Sequence, residues 1–364
     1  IVMKKLTGVF VIETGVVNRG EGIGSLATVK KVNSHNGAKV YFTPVSYKRA
    51  LWEFLQSSKN WRVPMVITPD GDKTVIQRTG TIIDSEEFDF AGTMIAIKYE
   101  RKGAFLTGYG ISVNNYRGDM LFMTNMGLSK FAGDNLANII NRENFYGIYL
   151  FPFSIELDRV GVQEIKVSRL KEIEKKTEEN QEGNQESETE KEKKGGKKKK
   201  EIEIVEFKEE DSPVELARKL YRVLGKEDQF KEEWLGIVES ITYDKDSETV
   251  KIVLKKEERL RRIRDLLEGM GELYKRIEGT ENNLSPYYAV FSLEFQTPAY
   301  LYVIKDHITN LLRNEELILI DTIKEVEEKL YKFASDRKKN LITTDYMDYP
   351  IVVDKIMQEI EKMI

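Results

Sequence analysis

Apolar positions follow a two-residue period early in the chain and a helical one later. Residues 6–17, LTGVFVIETGVV, form a long run rich in β-branched side chains and predict a strand. A shorter alternating run ends at Thr43-Pro44. Directly after it Val45, Ala50, Leu51, Phe54 and Leu55 share one face of a helix over 45–56, and Trp52 reads as packing on that helix. Strand patterns follow at 63–68, 75–83, 93–99 and 104–113. A loop of Asn, Gly and aromatic residues spans 114–125, and a short helix is expected at 134–141. The stretch 144–160, NFYGIYLFPFSIELDRV, is another strong strand, and its Pro152 suggests an edge or a bulge.

Past residue 200, Ser212-Pro213 starts a helix to about Leu224, followed by a strand at 250–254 and an amphipathic helix at 257–275. A strand with alternating aromatics at 287–295 precedes helical patterns near 300–313 and 320–334, and an amphipathic tail ends in MQEIEKMI. There is no internal repeat. Strand, helix, several strands, then helix and strand again describe an α+β sheet with long insertions.

One stretch fits neither period. The 27 residues 174–200 contain no apolar side chain, only blocks of Glu and Lys among Gln, Asn, Ser, Thr and Gly. Such a tract cannot offset its ordering entropy by burial and is expected to be a disordered, solvated tether.

Composition narrows the chemistry. The 364 residues include no Cys and only two His, His35 and His307, to which no role is assigned. Disulfides, thiolate metal sites and cysteine nucleophiles are excluded, and a serine–histidine relay is disfavoured. No apolar run reaches the ~18 residues of a membrane span and no signal-peptide pattern opens the chain, so a cytoplasmic protein with no membrane partner is expected. Net charge is −4. It is unevenly spread, with nine Lys/Arg against three acids in residues 1–60, then −3 over 61–165 and −7 over 166–364. A polyanion is drawn to the first sixth of the chain.

The candidate ligands lie there. Ser46, Lys48 and Arg49 stand at the start of a helix, where amides, a hydroxyl and two cations suit a phosphate. Ser46 also suits a helix cap. Asn18 and Arg19 open a glycine-punctuated loop that leads to Lys30 and Lys31; its spacing does not match a dinucleotide fingerprint. Asn114 and Arg117 sit in the aromatic loop. Of the aromatics that a sheet might offer to bases, Phe10, Tyr41 and Phe42, each reads as core. The Arg259, Arg261, Arg262 and Arg264 cluster reads as salt bridges on a solvated helix face.

In order and composition these segments resemble the DevR family of CRISPR-associated RAMP proteins. The residues carrying the resemblance are LTGVFVIETGVVNRGEG, the S-x-K-R-A-like Ser46-Tyr47-Lys48-Arg49-Ala50, GYGISVNNYRGDMLFMTN at 108–125, YGIYLFPFSIELDRVG at 146–161, and ERLRRIRDLL with the following SPYYAVFSLEF. The resemblance implies an RRM-like (ferredoxin-like) palm with long insertions forming a thumb and a helical region. Its first part would occupy 1–165, with a thumb-like insertion at about 84–130, and its second part 201–364. It implies the non-catalytic backbone subunit of a type I, I-B, Cascade complex. Copies would form a helical filament along CRISPR RNA beside other Cascade subunits, and target DNA would pair with the guide. No cofactor is implied. Where relatives often carry His-Ala this chain has Tyr109-Gly110, so a role for that His does not carry over.

Two other classes fit parts of the pattern. Asp84, Glu86, Glu87 and Asp89 form an acidic cluster that could hold Mg²⁺ for RNA cleavage, as in type III backbone subunits. A stand-alone RNA-binding regulator would share the basic N-terminus without assembling along RNA.

Overall fold

The computed structural model describes residues 3–22, 24, 26–67, 76–95, 99–124, 131, 139–175 and 201–364. One antiparallel sheet of eight strands organises them: β1 (Lys5–Thr14), β2 (Lys31–Ser34), β3 (Gly37–Phe42), β4 (Phe105–Thr107), β5 (Gly110–Asn115), β6 (Gly147–Glu156), β7 (Tyr288–Ser292) and β8 (Ile342–Asp345). Their order is β8-β7-β1-β6-β5-β3-β2, with β4 also paired to β6. The helices packed on it are α1 (Pro44–Ser58), α2 (Lys256–Gly271), α3 (Leu301–Arg313), α4 (Ile320–Lys324), α5 (Glu327–Ser335) and α6 (Tyr349–Met363). In chain order β1, α1, β4/β5, β6, α2 and β7 make a β-α-β-β-α-β unit, and β7-β1-β6-β4/β5 is its spatial order. This is the RRM-like palm of an α+β fold.

The near-continuous apolar character of β1 follows from burial on both faces. Phe10 and Ile12 point into one core, with Leu51, Trp52 and Leu55 of α1, Ile263 and Leu267 of α2 and Ile356 of α6. Val9 and Val11 point the other way, onto Ile304 and Ile308 of α3 and Leu330 of α5. Phe10 and Phe42 are core, as expected. Trp52 is buried and stacks on Trp61 at 5.9 Å.

A second core lies beside the palm. Strands Val162–Lys166, Thr249–Leu254 and Val238–Asp244 carry helix Pro213–Val223, which opens on a capping box between Ser212 and Glu215. Ile82, Ile83, Phe88 and Tyr99 are buried in this core. The insertion expected at 84–130 is therefore divided. Its first part packs here, whereas Met120–Thr124 pairs with Ile139–Glu143, which pairs with Leu26–Ala27, in a separate three-stranded ribbon.

Several expectations change. Pro152 sits in β6, a central strand, and not at an edge. Its carbonyl accepts from Gly108 N at 2.8 Å, so its absent N–H would face the same side, where β4 ends and β5 has not begun. Residues 139–141, expected to be helical, lie in a strand, and 132–138 fall outside the described residues. The helix expected over 257–275 stops at Gly271, and a hairpin of Tyr274–Ile277 and Thr280–Asn283 follows. Strand pairing of Glu172–Lys175 with Glu201–Ile204 reaches two residues into the charged tract; 176–200 lie outside the described residues. Among the described residues no helix is long and apolar enough to cross a membrane.

Candidate nucleic-acid interface

The sequence-predicted ligands are joined by a chain of contacts at the start of α1. Thr43, not Ser46, caps the helix: its Oγ1 accepts from Ser46 N at 3.2 Å. Asn18 Oδ1 accepts from both Thr43 N (3.3 Å) and Thr43 Oγ1 (3.1 Å), which ties the N-terminal loop to the cap. Asn18 thus spends its carbonyl on the turn. Lys275, on the 274–283 hairpin, donates to Ser46 Oγ. At the tip of the same hairpin Glu278 meets Arg19 (3.4 Å) and Arg142 (3.0 Å). Loop, helix start and hairpin are therefore one surface.

Its charge is mostly basic. Arg49 is exposed, bonds Glu53 one turn on at 2.7 Å, and lines a hollow with Lys275, Arg276, Phe54 and Tyr274. Lys31 bonds the Glu143 carboxylate at 2.6 Å and lies over the Tyr116 ring, while Arg19 donates to the Glu143 carbonyl. Burial raises the Glu143 carboxyl, but the Lys31 bond and the Val29 amide outweigh it and hold it below the usual range. Lys30 is half-buried and makes no ion pair among the described residues. The first turn of α1 carries no acid to occupy its amides. Arg142, Lys275 and Arg276 escaped the sequence reading because they join the surface only through tertiary contacts with residues remote in sequence.

Lys48 does not belong to this surface in the same way. Its Nζ donates to the Phe105 carbonyl at 2.8 Å. Burial, then the nearby Arg78, push its pKa down to about 8. Asn114 is likewise turned inward, accepting from Ile148 N at 2.7 Å. Arg117 is exposed beyond it, on the far side of the sheet.

The acidic cluster is taken up by contacts inside the fold. Asp84, Glu86, Glu87 and Asp89 are all buried, and arginines take up three of them. Asp89 pairs with Arg101 and with Arg262 (3.0 Å), Glu86 with Arg62 (3.3 Å) and Arg261 (2.8 Å), and Glu87 with Arg78 (2.7 Å). Asp84 accepts from the Tyr221 hydroxyl at 2.5 Å. Among the described residues no group of acids or histidines is arranged to hold a metal ion. Two of these arginines, Arg261 and Arg262, belong to the cluster expected on a solvated helix face. Arg262 is instead fully buried in α2, and Arg259 donates to the carbonyls of Val160 (2.7 Å) and Leu157 (3.2 Å).

An RRM-like palm extended by insertions, with a basic surface at its first helix, defines the class. The chain belongs to the CRISPR-associated DevR/Csa2 family, whose model, "CRISPR-associated negative auto-regulator DevR/Csa2", matches residues 6–297. Its fold is similar to that of a chain from "CRISPR RNA-guided surveillance complex, pre-nicking", at 9% identity and TM-score 0.53, covering 98% of this chain and 100% of that one. A chain from "CRISPR RNA-guided surveillance complex" aligns at 11% identity and TM-score 0.45, covering 98% and 99%. Comparison with curated proteins finds no match.

Proposed function

We propose that this chain is the guide-holding backbone subunit of a type I surveillance complex, of the I-B kind. Several copies polymerise along one CRISPR RNA in the cytoplasm, other Cascade subunits complete the assembly, and target DNA is recognised by pairing with the guide. The observation that carries this reading is the contact chain from Asn18 through the α1 cap to the 274–283 hairpin, which gathers Arg19, Arg49, Lys275 and Arg276 on one surface, with Lys31 joined to it through Glu143. A subunit that accepts any guide needs cations, hydroxyls and amides for phosphates and no base-edge contacts. Sequence is then read by base pairing.

The subunit is proposed to be non-catalytic, because three of its four clustered acids are paired with arginines in the interior of the fold. Assembled complexes incubated with complementary RNA and Mg²⁺ or Mn²⁺ should leave that RNA uncut.

The binding test is Arg49→Ala with Arg276→Ala. Affinity for unrelated single-stranded RNAs should fall by similar factors, and the slope of log K against log salt should flatten by about 0.7 for each phosphate no longer neutralised. An effect confined to one sequence would overturn backbone holding. Lys48→Ala should act mainly on stability, since its ammonium is largely buried where it bonds the Phe105 carbonyl.

A further inference from the structure

The palm has a second basic region, on the opposite face of the sheet. Val40 and Phe42 of β3 point into the α1 core, so Lys39 and Tyr41, which alternate with them, face away. Helices α3 to α5 cover that outer face over β1, β6 and β7, leaving a cleft of about 910 Å³ between the β2–β3 hairpin, β5 and α3. Lys39, Arg117, Lys305 and Arg313 line it, and Asp119 is the only acid in the lining. None of the four cations is in an ion pair among the described residues. On α3 the lining residues Tyr302, Lys305, Thr309 and Leu312 recur at helical spacing, opposite the buried Ile304, Ile308 and Leu311.

Like charges face one another across the cleft. Lys39 is half-buried and anchored on the Val113 carbonyl, and burial, then the like charge of Lys305, push its pKa down. A phosphate between them relieves both effects. Three largely exposed tyrosines accompany the cations: Tyr109, Tyr146 and Tyr302. Tyr109 meets Tyr41 edge-on at 5.7 Å. Its neighbour Gly110 is fixed by packing, because a Cβ there would lie 2.0 Å from the Phe42 ring. Cations that track a backbone, interleaved with exposed rings, are what a single strand requires.

We propose that this cleft is a second nucleic-acid site, which takes a single-stranded polynucleotide separate from the strand held at the α1 surface. It does not depend on that surface binding a guide. The two sites use different residues and lie on different faces.

The test uses the full chain, first saturated with unlabelled single-stranded RNA and then titrated with fluorescent single-stranded DNA or RNA of unrelated sequence. Lys305 and Arg313 are exposed, so Lys305→Glu with Arg313→Glu should leave melting unchanged. Expected is a drop of about ten-fold or more in affinity for the second strand, with affinity for the first RNA unaltered. Tyr302→Ala should weaken second-strand binding at unchanged salt slope. A preference for DNA or for RNA identifies the source of the strand. If the loaded protein takes up no second strand, the proposal is overturned. It is equally overturned if the charge reversal lowers affinity for the first RNA alone, since the cleft would then be part of the guide's own track.

Discussion

At the scale of single residues, the electrostatics of the interior depend on Arg262 and Asp84. Arg262 has no exposed side-chain surface, and it bonds Asp89 at 3.0 Å and Glu258 at 2.7 Å. Deleting one partner of such a pair leaves a buried charge without its counter-ion. Arg262→Met should cost roughly 3–5 kcal/mol of unfolding free energy, read from urea denaturation; a cost below about 1 kcal/mol would mean that Arg101 alone suffices for Asp89. Asp84 behaves oppositely. Burial raises its pKa to about 6, against the bonds from Tyr221 and the Thr81 amide, and its Oδ1 has no partner among the described residues. The native state therefore binds more protons than the unfolded chain between the ordinary carboxylate range and about 6, and this group's contribution to stability declines as pH rises through that window. Glu86 is buried too, but Arg262 and Arg62 outweigh burial and lower it to about 2. Its contribution is present above the ordinary glutamate range and is lost as pH falls toward 2. Urea midpoints measured from pH 2 to 7 should accordingly lose their decline above pH 4 in Asp84→Asn and their acid limb in Glu86→Gln. Parallel profiles for both variants and the parent would refute the assignment.

Among the described residues, the ribbon of Met120–Thr124 and Ile139–Glu143 exposes a surface that a single copy leaves unexplained. Met120, Leu121, Phe122, Met123, Ile139 and Ile140 are all exposed on it. Contiguous apolar exposure of this kind marks an interaction surface. Under the proposed function it packs against the next copy on the guide, or wedges between bases at a cost of a few kcal/mol per unstacked step. Phe122→Ser should change folding stability by no more than about 0.5 kcal/mol yet abolish regular arrays on long RNA, with melting and electron microscopy as the two readouts. Arrays of normal spacing in the variant would remove the ribbon from the assembly model.

For the whole molecule, net charge is a poor guide and its distribution a good one. An overall −4 coexists with two basic regions, one at the start of α1 and one in the outer cleft. Internal pairs such as Asp89 with Arg101 and Arg262 remove both signs from the count together, so they do not create this contrast; the placement of the exposed charges does. The field that reaches a ligand is set by the exposed remainder.

Much of the palm was legible from local pattern, because α1 and α2 bury faces that repeat every 3.6 residues, while β1, β6 and β7, buried on both faces, read as near-continuous apolar runs. Local chemistry was legible as well: the Ser212-Pro213 helix start matched to the residue, since a capping box is built within four positions. Strand β8 and Val238–Asp244 were not foreseen, for their partners lie far along the chain and the cross-strand contacts that stabilise them leave little local signature. The same limit governed the candidate sites. The sequence by itself determined the family, the α+β palm and a basic N-terminal segment. Only the tertiary structure decided which charges face a ligand: it turned Lys48 and Asn114 inward, buried the acidic cluster against α2, and brought Lys39, Arg117, Lys305 and Arg313 to one cleft. Composition counts a charge wherever it lies, whereas binding depends on which charges the fold leaves unpaired and in contact with water.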